Sequence, residues 1–172
     1  NLSQSSAMIR YLARRGGLCG SDDRDAMWCD MVAGVAADFA ETAIQAPFKP
    51  SEATAIADME ARFSKFGPRF EARITAQGSG FSASDGMTFA DVVLAEALSA
   101  YLEWCPAILA DTPHLEGLYR KVIGTPGIAG YLASDLRYRK PGADYVIAAA
   151  RVLQRALPAH MPDPDRFVVE RR

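Results

Sequence analysis

A chain of 172 residues, 49% apolar and 23% charged, is long enough to fill one main core and too apolar to remain disordered. Its formal net charge of −2 and pI near 5.7 offer no electrostatic footprint for nucleic acid, and basic residues gather only between Arg137 and Lys140 and at Arg171 and Arg172. The longest apolar run, Val92 to Leu98, is interrupted by Glu96 and is far shorter than the roughly 20 residues that cross a bilayer, so neither nucleic acid nor membrane is expected as a partner.

Met8, Ile9 and Leu12, with Tyr11 beside them, recur at helical spacing; Ser3 or Ser5 is placed to cap the start and Gly16–Gly17 the end, predicting a helix over 4–15. A second helix is predicted after the polar turn Gly20–Asp23, carrying Met27, Met31, Val35, Phe39 and Ala43 at steps of four, with Asp22 and Asp23 near its positive end and Pro47 and Pro50 beyond its stop. The third starts near Ser51–Glu52 and lines up Met59, Phe63, Phe66, Phe70 and Ile74 on one face; Pro68 falls inside it and predicts a kink, because it removes a backbone donor and crowds the carbonyl four residues back. After the Gly/Ser-rich loop Gln77–Ser84, Thr88 and Asp91 read as a structural cap, threonine at the cap position and an acid three residues on, opening a helix through Leu94, Leu98 and Leu102. Short helices are predicted at Leu115–Ile123 and Gly127–Ala133, each begun beside a proline, and a last one at Ala143–Leu157, ending at Pro158. Residues 159–172 read as irregular, with alternation suited to a strand only at Phe167–Val169. The fold class is therefore all-α.

Cys19, Cys29 and Cys105 are odd in number, widely spaced and without a CxxC pair, the usage of reduced thiols in a cytoplasmic protein. His114 and His160 are too few and too far apart for a metal site or a Ser/His/Asp arrangement, so no metal is expected. Asn1 is not an initiator Met and leads directly into the first helical pattern, which raises the expectation that segments before it are missing.

Gln4-Ser5-Ser6-Ala7-Met8-Ile9-Arg10-Tyr11-Leu12-Ala13 resembles the glutathione transferase segment that joins the last strand of the thioredoxin-like domain to its third helix. Gly17-Leu18-Cys19-Gly20, Asp30-Met31-Val32, Gly34 to Asp38, Thr88 to Asp91, Asp111 to Leu115, and Thr125 to Ile128 leading to Ser134 continue the resemblance in order through about the first 134 residues. The pattern is nearest to the tyrosine-type classes: pi, alpha, mu and sigma. It implies a C-terminal helical bundle over 22–158, preceded at 1–17 by the last helix of a thioredoxin-like domain and followed at 159–172 by an irregular tail. The family's first strand, which carries the thiol-activating Tyr, Ser or Cys, would lie well before Gln4, so no catalytic residue is expected in this chain.

A helix N-terminus offers free amides and partial positive charge to the γ-glutamyl carboxylate of glutathione. Ser5 can donate from backbone and hydroxyl, and the Gln4 amide can donate or accept. By themselves Ser5 reads rather as a helix cap and Gln4 as a surface residue; the resemblance reverses that reading and makes them the family's glutathione-binding pair. It likewise implies that Asp38 reaches the ligand's ammonium in the partner of a two-fold dimer formed by the second and third helices, where local sequence alone reads a solvated carboxylate. Ile44 and Phe48 fall where the family lines its electrophile pocket, a position that core packing explains as well. Asp30 reads as structural and Cys19 as a packed thiol, there being no His or Lys beside it to lower its pKa. Function implied by the resemblance is conjugation of glutathione, as substrate, to small hydrophobic electrophiles, with the chain alone inactive. A non-catalytic transferase-like scaffold and a glutathione-dependent isomerase such as a prostaglandin synthase are the alternatives.

Overall fold

The computed structural model describes residues 3–137, 140–153 and 157, and within these every regular element is helical. The order is α1 (Ser5–Arg15), α2 (Asp23–Gln45), a 3-10 turn (Ala46–Phe48), α3 (Glu52–Gln77), α4 (Phe89–Leu102), α5 (Pro113–Ile123), α6 (Pro126–Leu132) and α7 (Ala143–Leu153). Local chemistry sets most of these boundaries. Asp22 starts α2 by accepting the Asp25 amide at 2.8 Å, and Ser51 starts α3 by accepting that of Thr54 at 3.1 Å. Gly78 ends α3 in the left-handed conformation at φ 78°, where a side chain would be strained. Pro113 and Pro126 sit in the first turns of α5 and α6, where a missing amide costs nothing. Helix α3 continues unbroken through Pro68.

Three expectations are corrected. Neither Ser3 nor Ser5 caps α1: the cap position is Gln4, whose side chain makes no capping bond. The last helix ends at Leu153 with Leu157 outside it, while 154–156 and 158–172, including His160 and Phe167–Val169, lie beyond the described residues. On α2 the buried face is Cys29, Val32, Ala33, Ala36, Phe39 and Ala43, whereas Met27, Met31 and Val35 are exposed. Small residues face α4 because its own buried face includes Ala90, Ala95 and Ala97, and two alanine-rich faces bring the helix axes close together.

The core is centred on Phe39, fully buried, with ring centroids of Phe63, Phe66 and Phe70 at 6.2, 5.9 and 5.9 Å and Tyr101 stacked at 3.9 Å. The Tyr101 hydroxyl donates to the Phe39 carbonyl at 3.0 Å, and burial pushes its pKa up to about 12, so it stays a neutral donor.

Three carboxylates fix the loops. Buried Asp91 accepts from the Thr88 amide and hydroxyl at 2.7 and 2.9 Å on one oxygen, and from the Ser82 amide and hydroxyl at 2.8 and 2.6 Å on the other. Asp25 accepts from Ser84 and from the Ser21 amide and hydroxyl, tying the start of α2 to the same loop; those hydrogen bonds hold its carboxyl below its ordinary range. Glu71 of α3 caps α5 from outside: it accepts from the His114 and Leu115 amides at 3.0 and 2.7 Å, with His114 Nδ1 at 2.7 Å. Burial alone would raise the Glu71 pKa, but these hydrogen bonds outweigh it and hold the group below its usual 4.5. A depressed folded-state pKa contributes stability that is present above the unfolded value and lost as pH falls through the folded one. Glu71→Ala is therefore expected to lower stability by about 1–2 kcal/mol near neutral pH, and the gap to the parent should close as pH falls below about 4.5. Urea midpoints at about pH 7 and about pH 3 check both statements.

Candidate functional site

The start of α1 and the far end of α2 hold the residues expected to bind ligand. Gln4 has φ 71° and ψ 98°, and among the described residues it is the one non-glycine with positive φ. Such a backbone costs of order 1–3 kcal/mol and persists where surrounding structure or function demands it. Ser5 follows as the first residue of α1, exposed, and Gln4 gives the first-turn amides no side-chain acceptor. Helix α1 is held to α2 by Arg10, whose guanidinium meets Asp30 at 2.6 Å. Asp30 thus serves as a tie between helices.

Asp38 lies eight residues further along α2, a rise of about 12 Å. Its side chain is exposed and its carbonyl accepts from Arg62 at 2.8 Å. Among the described residues no hydrogen bond or ion pair joins Asp38 to Gln4 or Ser5.

Ile44 is 56% exposed and lines a cleft of about 580 Å³ between α2, α4 and α6. Ala40, Val92, Ile128 and Tyr131 extend this apolar wall, and Trp104 closes one end. Phe48 is placed apart from the cleft lining, half-buried and 6.4 Å from the Tyr145 ring of α7. Two acids reach the cleft. Glu103 is paired with Arg137 at 2.8 Å, whereas Glu96 lies against apolar neighbours and desolvation raises its pKa. Neither Glu96 nor Trp104 was singled out as a site residue from sequence, yet a charge interrupting the Val92–Leu98 run marked Glu96 out.

Thr88 and Asp91 stand away from these surfaces, buried at the head of α4, where their hydrogen bonds are structural. Cys29 is buried with its thiol pKa raised by desolvation, and Cys19 packs partly exposed against the same core. Among the described residues no group of three or more His, Cys, Asp or Glu is arranged to hold a metal ion, and no helix is long and apolar enough to cross a membrane.

Comparison with known proteins places this arrangement. The family described as "Glutathione S-transferase, C-terminal domain" matches residues 37–135. Glutathione S-transferase alpha-4 of Rattus norvegicus is 30% identical over 159 residues, covering 89% of this chain and 71% of the rat protein. Glutathione S-transferase P 1 of Xenopus laevis is 27% identical over 143 residues, covering 81% and 66%. This chain thus spans about two thirds of the length of such relatives. A monomeric glutathione S-transferase of Necator americanus superposes with a TM-score of 0.72 at 21% identity, covering 80% of this chain and 71% of that one. Prostaglandin synthase D of Nilaparvata lugens superposes with a TM-score of 0.68 at 22% identity, covering 78% and 69%. The two superpositions speak to fold alone. The chain belongs to the glutathione S-transferase family, and residues 37–135 match its C-terminal domain.

Proposed function

We propose that this chain supplies the γ-glutamyl end of a glutathione site and the apolar wall of the adjoining electrophile site, in an enzyme that adds the glutathione thiolate to small hydrophobic electrophiles. The observation that carries the reading is the strained backbone of Gln4, at φ 71°, directly before the open N-terminus of α1. The helix start beyond it has no side-chain cap, and its partial positive charge suits a carboxylate. Ser5 adds its hydroxyl, and Gln4 bonds the remaining polar atoms of the γ-glutamyl group.

In this reading residues 1–17 close a thioredoxin-like domain and 22–158 form the helical domain. Asp38 meets the ligand's ammonium across a two-fold dimer. Its exposed carboxylate, and the exposed row of Met27, Met31 and Val35 on the same helix, support that assembly. Free thiols at Cys19, Cys29 and Cys105 support a cytoplasmic setting. Ile44 and the cleft beside it take the electrophile, while Phe48 packs at the edge against Tyr145. Carbon–sulfur bond formation needs a thiolate, and the reading assigns its generation to no residue described here, so the 172-residue chain by itself is expected to show no conjugation.

The cleft is tested with S-hexylglutathione. Burying about 55 Å² of the hexyl chain at ~25 cal/mol/Å² is worth about 1.4 kcal/mol, a tenfold gain over glutathione. Titrations of the chain should show that gain, and Ile44→Asp should erase it. Equal affinities of the two ligands for the parent chain would remove the cleft from the assignment.

A further inference from the structure

A second cavity, of about 650 Å³, opens between α3 and the segment joining α4 to α5, and it shares Trp104 with the cleft described above. Its volume lies within the roughly 300–1,000 Å³ typical of small-molecule sites. The lining is largely apolar, with Phe63 from α3 and Trp104, Cys105 and Ile108 from the joining segment. Two charged side chains line it, Glu60 and Asp111, and both are acids.

Other acids of α3 are answered locally. Glu52 meets Lys140 at 2.9 Å, Asp58 meets Lys49 at 2.5 Å and Glu71 takes the donors of α5. Glu60 and Asp111, by contrast, are exposed and make no ion pair or hydrogen bond among the described residues. The indole of Trp104 already receives a cation: Lys140 Nζ lies 3.6 Å from its ring centroid. That lysine is engaged with Glu52 and does not line the cavity.

We propose that this cavity binds a small organic cation with an apolar body, its charge answered by Glu60 and Asp111 and its body lying against Phe63, Trp104 and Ile108. An anion of the same size would meet two carboxylates and no lining cation, and a neutral molecule would gain no charge pairing from either acid. The site meets the proposed electrophile cleft at Trp104, but the proposal does not rest on the glutathione or electrophile assignments.

The test uses the full 172-residue chain with benzyltriethylammonium as the cation and phenylbutyrate as the anion, read by tryptophan fluorescence. A Trp28→Phe variant leaves Trp104 as the sole reporter, since the chain has two tryptophans. Saturable change is expected with the cation and none with the anion. Combining Glu60→Gln with Asp111→Asn should weaken the cation roughly tenfold, and unchanged circular dichroism would establish that the variant is folded. Glu96→Gln, which alters the neighbouring cleft, should leave cation affinity in place. Undiminished affinity in the double variant, loss of affinity with Glu96→Gln alone, or equal binding of the anion would each overturn the proposal.

Discussion

Asp91→Ala is expected to remove about 4 kcal/mol of unfolding free energy, enough to leave a marginal domain partly unfolded at body temperature. The side chain is fully buried, and both oxygens are used twice, by the amides and hydroxyls of Ser82 and Thr88. Truncation leaves four buried donors facing a methyl group, and each unmade bond costs of order 1–3 kcal/mol before relaxation or entering water recovers part of it. Asp91→Asn keeps one accepting oxygen and turns the other into a donor aimed at donors, so a loss of about 2–3 kcal/mol is expected for it. Urea unfolding followed by circular dichroism gives both values. A loss below about 1 kcal/mol for the alanine variant would mean that the loop bonds of Asp91 are replaced readily by water.

Phe39→Ala is expected to cost about 4 kcal/mol, the middle of the range for truncating a buried aromatic. Phe39 is fully buried, stacks on Tyr101 at 3.9 Å and contacts three phenylalanines of α3, so its removal opens a void at the point where α2, α3 and α4 meet. Because ring pairs contribute about 0.5–1.5 kcal/mol beyond the area they bury, Phe39→Leu should cost about 1–2 kcal/mol despite filling most of the volume. Thermal unfolding of both variants checks this: a Phe39→Leu midpoint equal to the parent's would show that filled volume alone decides, and one clearly below it that the ring contacts contribute.

How far the fold could be read from sequence depended on the signal available at each element. Prolines and capping residues act locally, so Ser51, Pro113 and Pro126 mark helix starts that agree with the structure to within one or two residues. The row of apolar residues on α2 misled because a step of four advances about 40° beyond a full turn, so Met27 and Ala43 are about 160° apart around the helix. One end of the row faces solvent and the other the core. The buried face keeps Phe39 and Ala43 but replaces the rest of the row with Val32 and the small Cys29, Ala33 and Ala36, whose side chains give little hydrophobic signature.

Loop 78–88 was legible as a loop and no further. Its order depends on Asp25 and Asp91, which bind Ser84 and Ser82 at separations of 59 and 9 residues, and no periodicity announces such contacts. At the candidate site, Gln4 and Ser5 stood out only through a familiar motif, while the strained φ of Gln4 is a property of the folded backbone. Glu96 carried a visible sign, a charge inside an apolar run, whose meaning emerges once α4 is seen to border a cleft.

The central claim is that the start of α1 receives the γ-glutamyl group of glutathione. Nitrogen-15 NMR of the labelled chain titrated with glutathione tests it directly. Saturable amide shifts are expected at Gln4, Ser5 and the first turn of α1 at millimolar concentrations, abolished by Ser5→Ala together with Gln4→Ala. Saturable shifts at any other surface with these amides unmoved, or shifts that persist unchanged in the double variant, would contradict it.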